Sequence, residues 1–572
     1  MQAKPYHQAR CHERVEASVI EHGCAAESLL PILRSVQDAD GYLSELAIGA
    51  TSDLLHLSDA QTFGVATFYS MLSTKPRDGQ IIRVCDGPVC CLHHGEEILT
   101  SISKAAEGAP FSIERTSCLG LCDRAPAALF GLNPCGPISE SSADKILAGS
   151  CGEAPSYANP LEGEVRIALA NIGKINPDEI KSAIEHGAYE ALKSVLRKEP
   201  TDVCKAVIDS GLQGRGGAGF PTGNKWQYVT QAADSPKYIV CNADESEPAA
   251  FKDRVLMEGN PHLLLEGMLL AAYTVGASEC YIYIRGEYER AAKRLELAIL
   301  QAMEHCWLGS DIQGTGFSFT IHVHRGAGAY ICGEESALLE SLEGHRGEPR
   351  VRPPYPTSHG LFGKPTVVNN VETFCKIPAI LTHGPRWYRS MGTAHSPGTK
   401  LFTITGNVTR PGVFEAPFGI TLRQAIEQFA GGMRNGAAFK MALTGGAAGT
   451  VVGRSALDIP LDFASHKQGV PLGAGAIVVM DESVSVPNLL RWLLHFFERE
   501  SCGKCTPCRE GTQAVRRIIH RVENHDARQD DIEQLAHLSK MLRFTSLCGL
   551  GQSVSWPIES ALKNFPEEFR CT

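Results

Sequence analysis

The sequence predicts a multidomain α/β protein, and three observations carry that expectation. Its 572 residues exceed what one hydrophobic core organises, and at roughly 150 residues per domain they suggest about four domains. Short β-branched and aromatic runs alternate with helical stretches across 206–380, the order of an α/β sheet domain. Two sets of four spaced cysteines lie outside that centre, one towards each end, so metal-bearing segments are expected to flank it.

Composition narrows the function. Apolar residues are 43% and charged residues 21%, which favours packed domains over disorder. A formal net charge of -10 disfavours a non-specific nucleic-acid binder. No stretch reaches the ~18 uninterrupted apolar residues of a membrane span, since the longest candidate, 263–284, is broken by Glu266 and Glu279. Residues 1–14 are polar and hold no apolar signal-peptide run. A cytoplasmic protein with no membrane insertion and no nucleic-acid partner is expected. In a reducing compartment, 20 cysteines point to metal or redox chemistry more than to disulfides. Those outside the two sets, such as Cys11, Cys24, Cys204, Cys280, Cys306 and Cys571, read as small buried hydrophobes.

The C-terminal set is Cys502-x2-Cys505-x2-Cys508, with Cys548 after 39 further residues. Three thiolates at that spacing wrap one end of an iron–sulfur cubane, Gly503 and Pro507 turn the backbone around it, and the fourth ligand comes from afar. Structural zinc, which prefers two separated pairs, is the competing assignment. An amphipathic helix is expected over 511–522. The N-terminal set is Cys85-x4-Cys90 and Cys118-x3-Cys122. Cys85 follows the strand-like 81–84, a helical stretch covers 95–106, and the second pair sits in a loop. Two pairs in strand-to-loop positions suit a [2Fe–2S] cluster, with zinc again an alternative. Cys91 is adjacent to Cys90 and points elsewhere.

Between the sets lie two glycine-rich runs. Gly214 to Gly223 formally contains G-x-G-x-x-G but follows a helical stretch, 202–211, rather than a strand, so it is not a standard dinucleotide fingerprint. It offers exposed amides beside Arg215 and Lys225, suited to a phosphate and the edge of an aromatic ring; the plain alternative is a tight surface loop. Gly326 to Gly333 has the other context, a strand over 320–324 before it and a helix opening at Glu334-Glu335 after it. A cofactor at that helix N-terminus is expected, although acidic residues there also stabilise a helix unaided. The acidic run Asn242, Asp244, Glu245 and Glu247 follows the strand-like 238–240 and could accept hydrogen bonds from ribityl or ribose hydroxyls, or form only a polar turn. Tyr281 to Arg285 is a further short strand.

These segments resemble a known pair of proteins. Residues 214–226, 241–254, 326–335, 364–373 (Lys-Pro-Thr-Val-Val-Asn-Asn-Val-Glu-Thr) and the triplet with Cys548 are similar to the NADH-binding flavoprotein subunit of respiratory complex I. Residues 10–150 resemble its thioredoxin-like [2Fe–2S] partner subunit, fused here into one chain. The resemblance spans almost the whole sequence. It implies a helical lead-in (1–75), a thioredoxin-like [2Fe–2S] domain (76–150), a linker (151–200), a Rossmann-like FMN- and NAD(H)-binding domain (201–395), a ubiquitin-like β-grasp domain (396–482) and a helical [4Fe–4S] domain (483–572).

It also implies site residues. Gly214, Arg215, Gly216, Lys225, Asn242, Asp244, Glu245, Gly333, Glu334, Asn369 and Asn370 would contact FMN. Phe220, Glu247, Tyr330 and Glu335 would contact the nicotinamide nucleotide, with Tyr228 and Tyr355 placed to sandwich adenine. The four cysteines of each set would hold the [2Fe–2S] and [4Fe–4S] clusters. The family usually reads Asp-Glu-Gly-Glu-Pro-Gly-Thr, whereas this chain has Ser246, Ala249 and Ala250 at the variant positions, which questions the local loop geometry. NADH carries two electrons as a hydride and clusters take one, so a flavin, which handles both, lies between them. No residue is expected to act as a catalytic acid or base. Fusion without a membrane segment resembles soluble assemblies. An NAD-dependent formate dehydrogenase, whose α partner carries molybdenum or tungsten and further iron–sulfur clusters, is preferred. An NAD-reducing hydrogenase with a nickel partner, or a complex I input module, is the alternative.

Overall fold

The computed structural model describes residues 3–569. Four helices open the chain: Ala3–His22, Leu29–Asp40, Glu45–Leu55 and Asp59–Ala66. Ser44 and Ser58 cap the third and fourth, accepting from Ala47 and Gln61 amides. These helices dock on the flavin-domain region rather than standing apart. The Tyr69 hydroxyl meets the Ser341 hydroxyl at 2.6 Å, and the Ser70 and Met71 amides donate to the Gly328 and Ala327 carbonyls.

Three sheets follow. Strands β1 (Gln80–Cys85), β2 (Phe111–Thr116), β3 (Ala128–Phe130) and β4 (Asn133–Cys135) lie in the order β2-β1-β3-β4. The β1–β2 pair is parallel and the others antiparallel, with the helix Gly95–Ala105 as crossover. The second sheet is wholly parallel: β5 (Tyr238–Ala243), β6 (Glu279–Ile284), β7 (Thr320–Arg325) and β8 (Thr366–Asn370), in the order β7-β6-β5-β8. Helices cover both faces, so β5 reads as a continuous apolar run rather than an alternating one. The third sheet, β9 (Thr399–Gly406), β10 (Gly412–Pro417), β11 (Phe439–Thr444), β12 (Thr450–Val452) and β13 (Ala476–Asp481), is mixed, in the order β10-β9-β13-β11-β12, with β9 and β13 parallel at its centre. Helices Val486–Glu500, Thr506–Glu523, Asp531–Thr545, Gly549–Ser553 and Ser555–Asn564 close the chain.

Two expectations are corrected. Residues 151–200 are not merely a linker. Helices Ile180–Glu185 and Glu190–Val195 lie there, and the fully buried Tyr189 meets His262 Nδ1 at 2.8 Å. The apolar positions Ile180, Ala183, Leu192 and Val195 are buried, beyond the prolines that suggested a linker. The scattered cysteines are also not uniformly buried thiols. Cys24 and Cys306 are exposed, Cys135 and Cys151 form a disulfide, and Cys571 lies outside the described residues. Among the described residues no helix is long and apolar enough to cross a membrane.

Candidate functional site

The order of the parallel sheet places the site. The chain runs from β5 outward through β6 and β7, then returns to the other side of β5 as β8. The crevice at that reversal, beyond the carboxyl ends of β5 and β8, is where such sheets take ligands. The residues just past β5 and at the end of β8 are 242–247 and 369–370. Gly216, Asn242, Asp244, Glu245, Gly333, Glu334 and Asn370, with Glu247 and Tyr330, line one cavity there of about 550 Å³, a size that admits a nucleotide-like ligand.

Hydrogen bonds fix the cavity loop. Asn242 Nδ2 donates to the Gly333 carbonyl at 2.8 Å, joining β5 to the second glycine run. Glu247 accepts from the Tyr330 hydroxyl at 2.6 Å and the Ala448 amide at 3.1 Å. The Glu245 carboxylate receives the Asp253 and Arg254 amides at 3.0 Å, so it anchors the helix Lys252–Gly259. Glu334 likewise caps Glu335–Leu342 through the Ser336 and Ala337 amides. The Ser246 hydroxyl donates to Asp244 Oδ1 at 2.7 Å, so the side chain that departs from the family pattern is absorbed within the loop.

Ala249 is the second departure, and its φ of 70° is a conformation that suits glycine. Ala249→Gly is expected to stabilise the chain by about 1 kcal/mol, read as a raised urea midpoint; a lowered midpoint would contradict the strain.

Burial pushes Asp244 and Glu247 up to about 7. The folded, cofactor-free chain therefore keeps protons that the unfolded chain has released, and these two groups favour folding fully below about pH 4. That contribution is lost as pH rises through about 7. The flavin-free protein should thus lose denaturant resistance between pH 5 and 8 more steeply, by roughly those two protons, than its D244N/E247Q variant. Equal slopes would contradict the assignment.

Beneath the loop lies a chain of buried charges. Lys252 Nζ contacts Asp253 at 2.7 Å, Glu372 at 3.2 Å and Asn370 Oδ1 at 3.3 Å. Lys400 meets Glu372 at 3.1 Å, and Lys376 pairs with Glu415. Glu415 in turn accepts the Ile167 and Leu169 amides. Burial lowers Lys400 to about 7. Against the upward push of its own burial, Glu372 is drawn down to about 2 by Lys400 and Lys252. Lys252 and Asp253, which line the cavity, were missed in the sequence. Their signal was the charged run Lys252-Asp253-Arg254 directly before the apolar Val255-Leu256-Met257. The cavity's far wall was also missed; it comes from Gly445, Ala448 and Gly473 of the third-sheet domain and from Leu550 and Trp556.

Other expected contacts sit elsewhere. Arg215 does not line the cavity. Its buried guanidinium donates to Gln213, Pro397 and Thr399 carbonyls and to the Tyr388 hydroxyl and lies 4.6 Å over Phe418, so four of its five N–H donors are spent within the protein. The Gly214 amide donates to the Phe220 carbonyl. Lys225 holds the Val368 carbonyl at 2.8 Å and lies 3.5 Å from Glu335, while Asn369 accepts from Trp226 Nε1. Phe220, Tyr228 and Tyr355 are 47%, 49% and 56% exposed, outside the cavity lining.

The residues present fit FMN. Gly216, Gly217 and Ala218 present backbone to the cavity, and Gly217 has a φ of 140° that a side chain would resist. Asp244 Oδ2 is buried without a partner and aims for a donor. Lys252 supplies a cation at the floor.

Both cysteine sets converge. Cys85 ends β1, Cys90 lies on Pro88–Leu92, and Cys118 Sγ is 3.4 Å from Cys122 Sγ; all four are buried. Hydrogen bonds among the thiols pull Cys118 down and push Cys85 and Cys122 up, so a metal binding there would have to displace protons. The adjacent Cys91 donates instead to the Asp86 carbonyl. Cys502, Cys505, Cys508 and Cys548 line a second, small pocket. Gly503 turns there with a φ of 77°, and burial raises Cys548 to about 12. Four sulfurs around a nearly dry pocket fit an iron–sulfur cluster. Ile331 and Leu550 line this pocket and the large cavity alike.

Family models match in sequence order: thioredoxin-like [2Fe–2S] ferredoxin (15–151), Nuo51 FMN-binding domain (207–379), SLBB domain (401–454) and NADH-ubiquinone oxidoreductase-F iron–sulfur binding region (488–572). The NADH-quinone oxidoreductase F 2 protein of Rhizobium meliloti is 46% identical over 67% of this chain and 91% of its own length. The NADP-reducing hydrogenase protein HndC of Solidesulfovibrio fructosivorans is 44% identical over 71% and 83%. A chain of an NAD+-reducing [NiFe]-hydrogenase, in its H2-reduced state, superposes with a TM-score of 0.82 at 32% identity, covering 95% of this chain and 92% of that one. The chain therefore belongs to the NADH-quinone oxidoreductase F family, as an NAD-dependent FMN and iron–sulfur electron-transfer subunit with a thioredoxin-like [2Fe–2S] domain fused ahead of the flavoprotein.

Proposed function

We propose that this chain is the diaphorase subunit of an NAD-dependent formate dehydrogenase, working in the cytoplasm beside an α subunit that carries molybdenum or tungsten. The observation that supports its chemistry is the shared wall. Ile331 and Leu550 face both the nucleotide-sized cavity and the pocket of Cys502, Cys505, Cys508 and Cys548, so a single layer of apolar side chains separates the two. Bound FMN supplies the exchange between a hydride and single electrons. The protein's part is placement. Gly216, Asn242, Gly333, Asn370 and Lys252 hold the flavin, and Glu247 with Tyr330 orients the nicotinamide nucleotide at its open side. Phe220, 47% exposed, adds a ring face to that nucleotide, and Tyr228 and Tyr355, 49% and 56% exposed, offer ring faces to its adenine. Cys85, Cys90, Cys118 and Cys122 hold the [2Fe–2S] cluster.

Retention of all four N-terminal cysteines in a fused subunit supports the formate reading. A second reading, the diaphorase of an NAD-reducing hydrogenase, is favoured by the match over 95% of the chain to such an enzyme. Metal analysis of the complex from its native host separates them. Iron with molybdenum or tungsten supports formate dehydrogenase, iron with nickel replaces it with hydrogenase, and iron alone leaves a complex I-type input module. This chain should account for about six iron atoms.

A further inference from the structure

With Cys85, Cys90, Cys118 and Cys122 taken as [2Fe–2S] ligands, the reading proposed above, we infer that Arg285 is a positioning residue of that cluster. It holds the Cys118 loop in place and keeps the cluster's reduction potential up. Arg285 follows the last residue of β6 in the flavin domain and is 3% exposed. Its guanidinium reaches into the neighbouring domain, donating to the Cys118 carbonyl at 2.5 Å and to the Glu245 carbonyl at 2.7 Å. Glu287 fixes the same fork at 2.8 and 3.1 Å.

The rest of the ligand loop is also held from the flavin side. Arg254 donates to the Gly120 carbonyl at 3.2 Å and to Asp123 at 2.7 Å. Tyr288 packs so closely that a Cβ on Gly120, whose φ is 68°, would lie 2.1 Å from its hydroxyl. The loop's shape is therefore imposed by flavin-domain side chains.

Reduction of a cluster adds one negative charge. A buried cation one peptide from a ligand sulfur favours that reduced state, more strongly in a low-dielectric interior than in water. Arginine suits the position because its planar fork grips two carbonyls and a carboxylate at once.

The test is an EPR-monitored redox titration of the loaded full-length protein, following both clusters. R285Q/E287Q removes the two charges together, so no buried charge is stranded. Its [2Fe–2S] midpoint should fall by at least about 59 mV, tenfold in the one-electron reduction equilibrium, while the [4Fe–4S] midpoint stays put. E287Q keeps the arginine and removes its counter-charge, so its [2Fe–2S] midpoint should rise; it decides the matter if the double variant fails to assemble. Unmoved [2Fe–2S] midpoints, or equal shifts at both clusters, would overturn the role of Arg285. A wild-type protein without a [2Fe–2S] signal would overturn the ligand assignment itself.

Discussion

Cys548→Ala is expected to cut the iron content of this chain from about six atoms to about two, leaving the [2Fe–2S] centre alone. Cys548 stands 40 residues from Cys508 in sequence, yet the fold brings both into one pocket with Cys502 and Cys505. It sits at the N-cap of Gly549–Ser553, so the substitution removes a sulfur without removing a backbone hydrogen bond of the helix. A cubane held by three thiolates is labile, and the rest of the pocket lining, Ile331, Pro349, Leu547 and Leu550 with Ser501 and Lys504, holds no further thiol. NADH should still reduce bound flavin in the variant, because the cavity keeps its residues, while electron delivery to the partner is lost. Colorimetric iron together with anaerobic flavin reduction checks this. Unchanged iron content would remove Cys548 from the ligand set.

Glu372→Gln should destabilise the chain by about 3–5 kcal/mol, because it breaks a buried ion network from one side. Glu372 is fully buried and is the carboxylate between Lys252, at 3.2 Å, and Lys400, at 3.1 Å. It also receives the Leu401 amide at 2.8 Å. Lys252 keeps Asp253 at 2.7 Å, but Lys400 is left with the Arg215 carbonyl at 3.2 Å. The penalty should shrink as pH rises past about 7, where burial already places the Lys400 ammonium, since the stranded group can then shed its charge. Urea denaturation at pH 6 and pH 8.5 reads both effects. Adding Lys400→Met should recover part of the loss, and a pH-independent penalty would contradict the origin assigned to it.

Much of this was legible in the residues. The strand-like runs at 81–84, 238–240, 281–285 and 320–324 became β1, β5, β6 and β7, because apolar runs such as β5 and the alternating pattern of the edge strand β7 are both local signals. The cysteine spacings were informative for the same reason, since cluster geometry is local for three of four ligands. Sequence could not give the direction of Arg215. Its guanidinium is claimed by Tyr388 and Pro397, partners more than 170 residues away. It could not give the cavity's far wall either, because Gly445 and Leu550 arrive through domain packing. The helices within 180–195 were hidden by the prolines before them, and their stability comes from burial: Glu190–Val195 packs on Pro261–Val275, where Glu266 accepts the Leu192 amide at 3.1 Å, and Ile180–Glu185 packs on Glu289–Glu304, where Gln301 accepts the Ile180 amide at 2.9 Å.

On the proposed function, hydride chemistry in the large cavity feeds single electrons through the wall of Ile331 and Leu550 to the C-terminal cluster. The most direct measurement is anaerobic addition of NADH to the loaded protein, with flavin absorbance and cluster EPR followed together. The signal of a reduced [4Fe–4S] cluster is expected to develop with NADH and to disappear in Cys548→Ala. Flavin reduction with a [4Fe–4S] cluster that stays oxidised, or a protein that holds zinc and no iron, would contradict it.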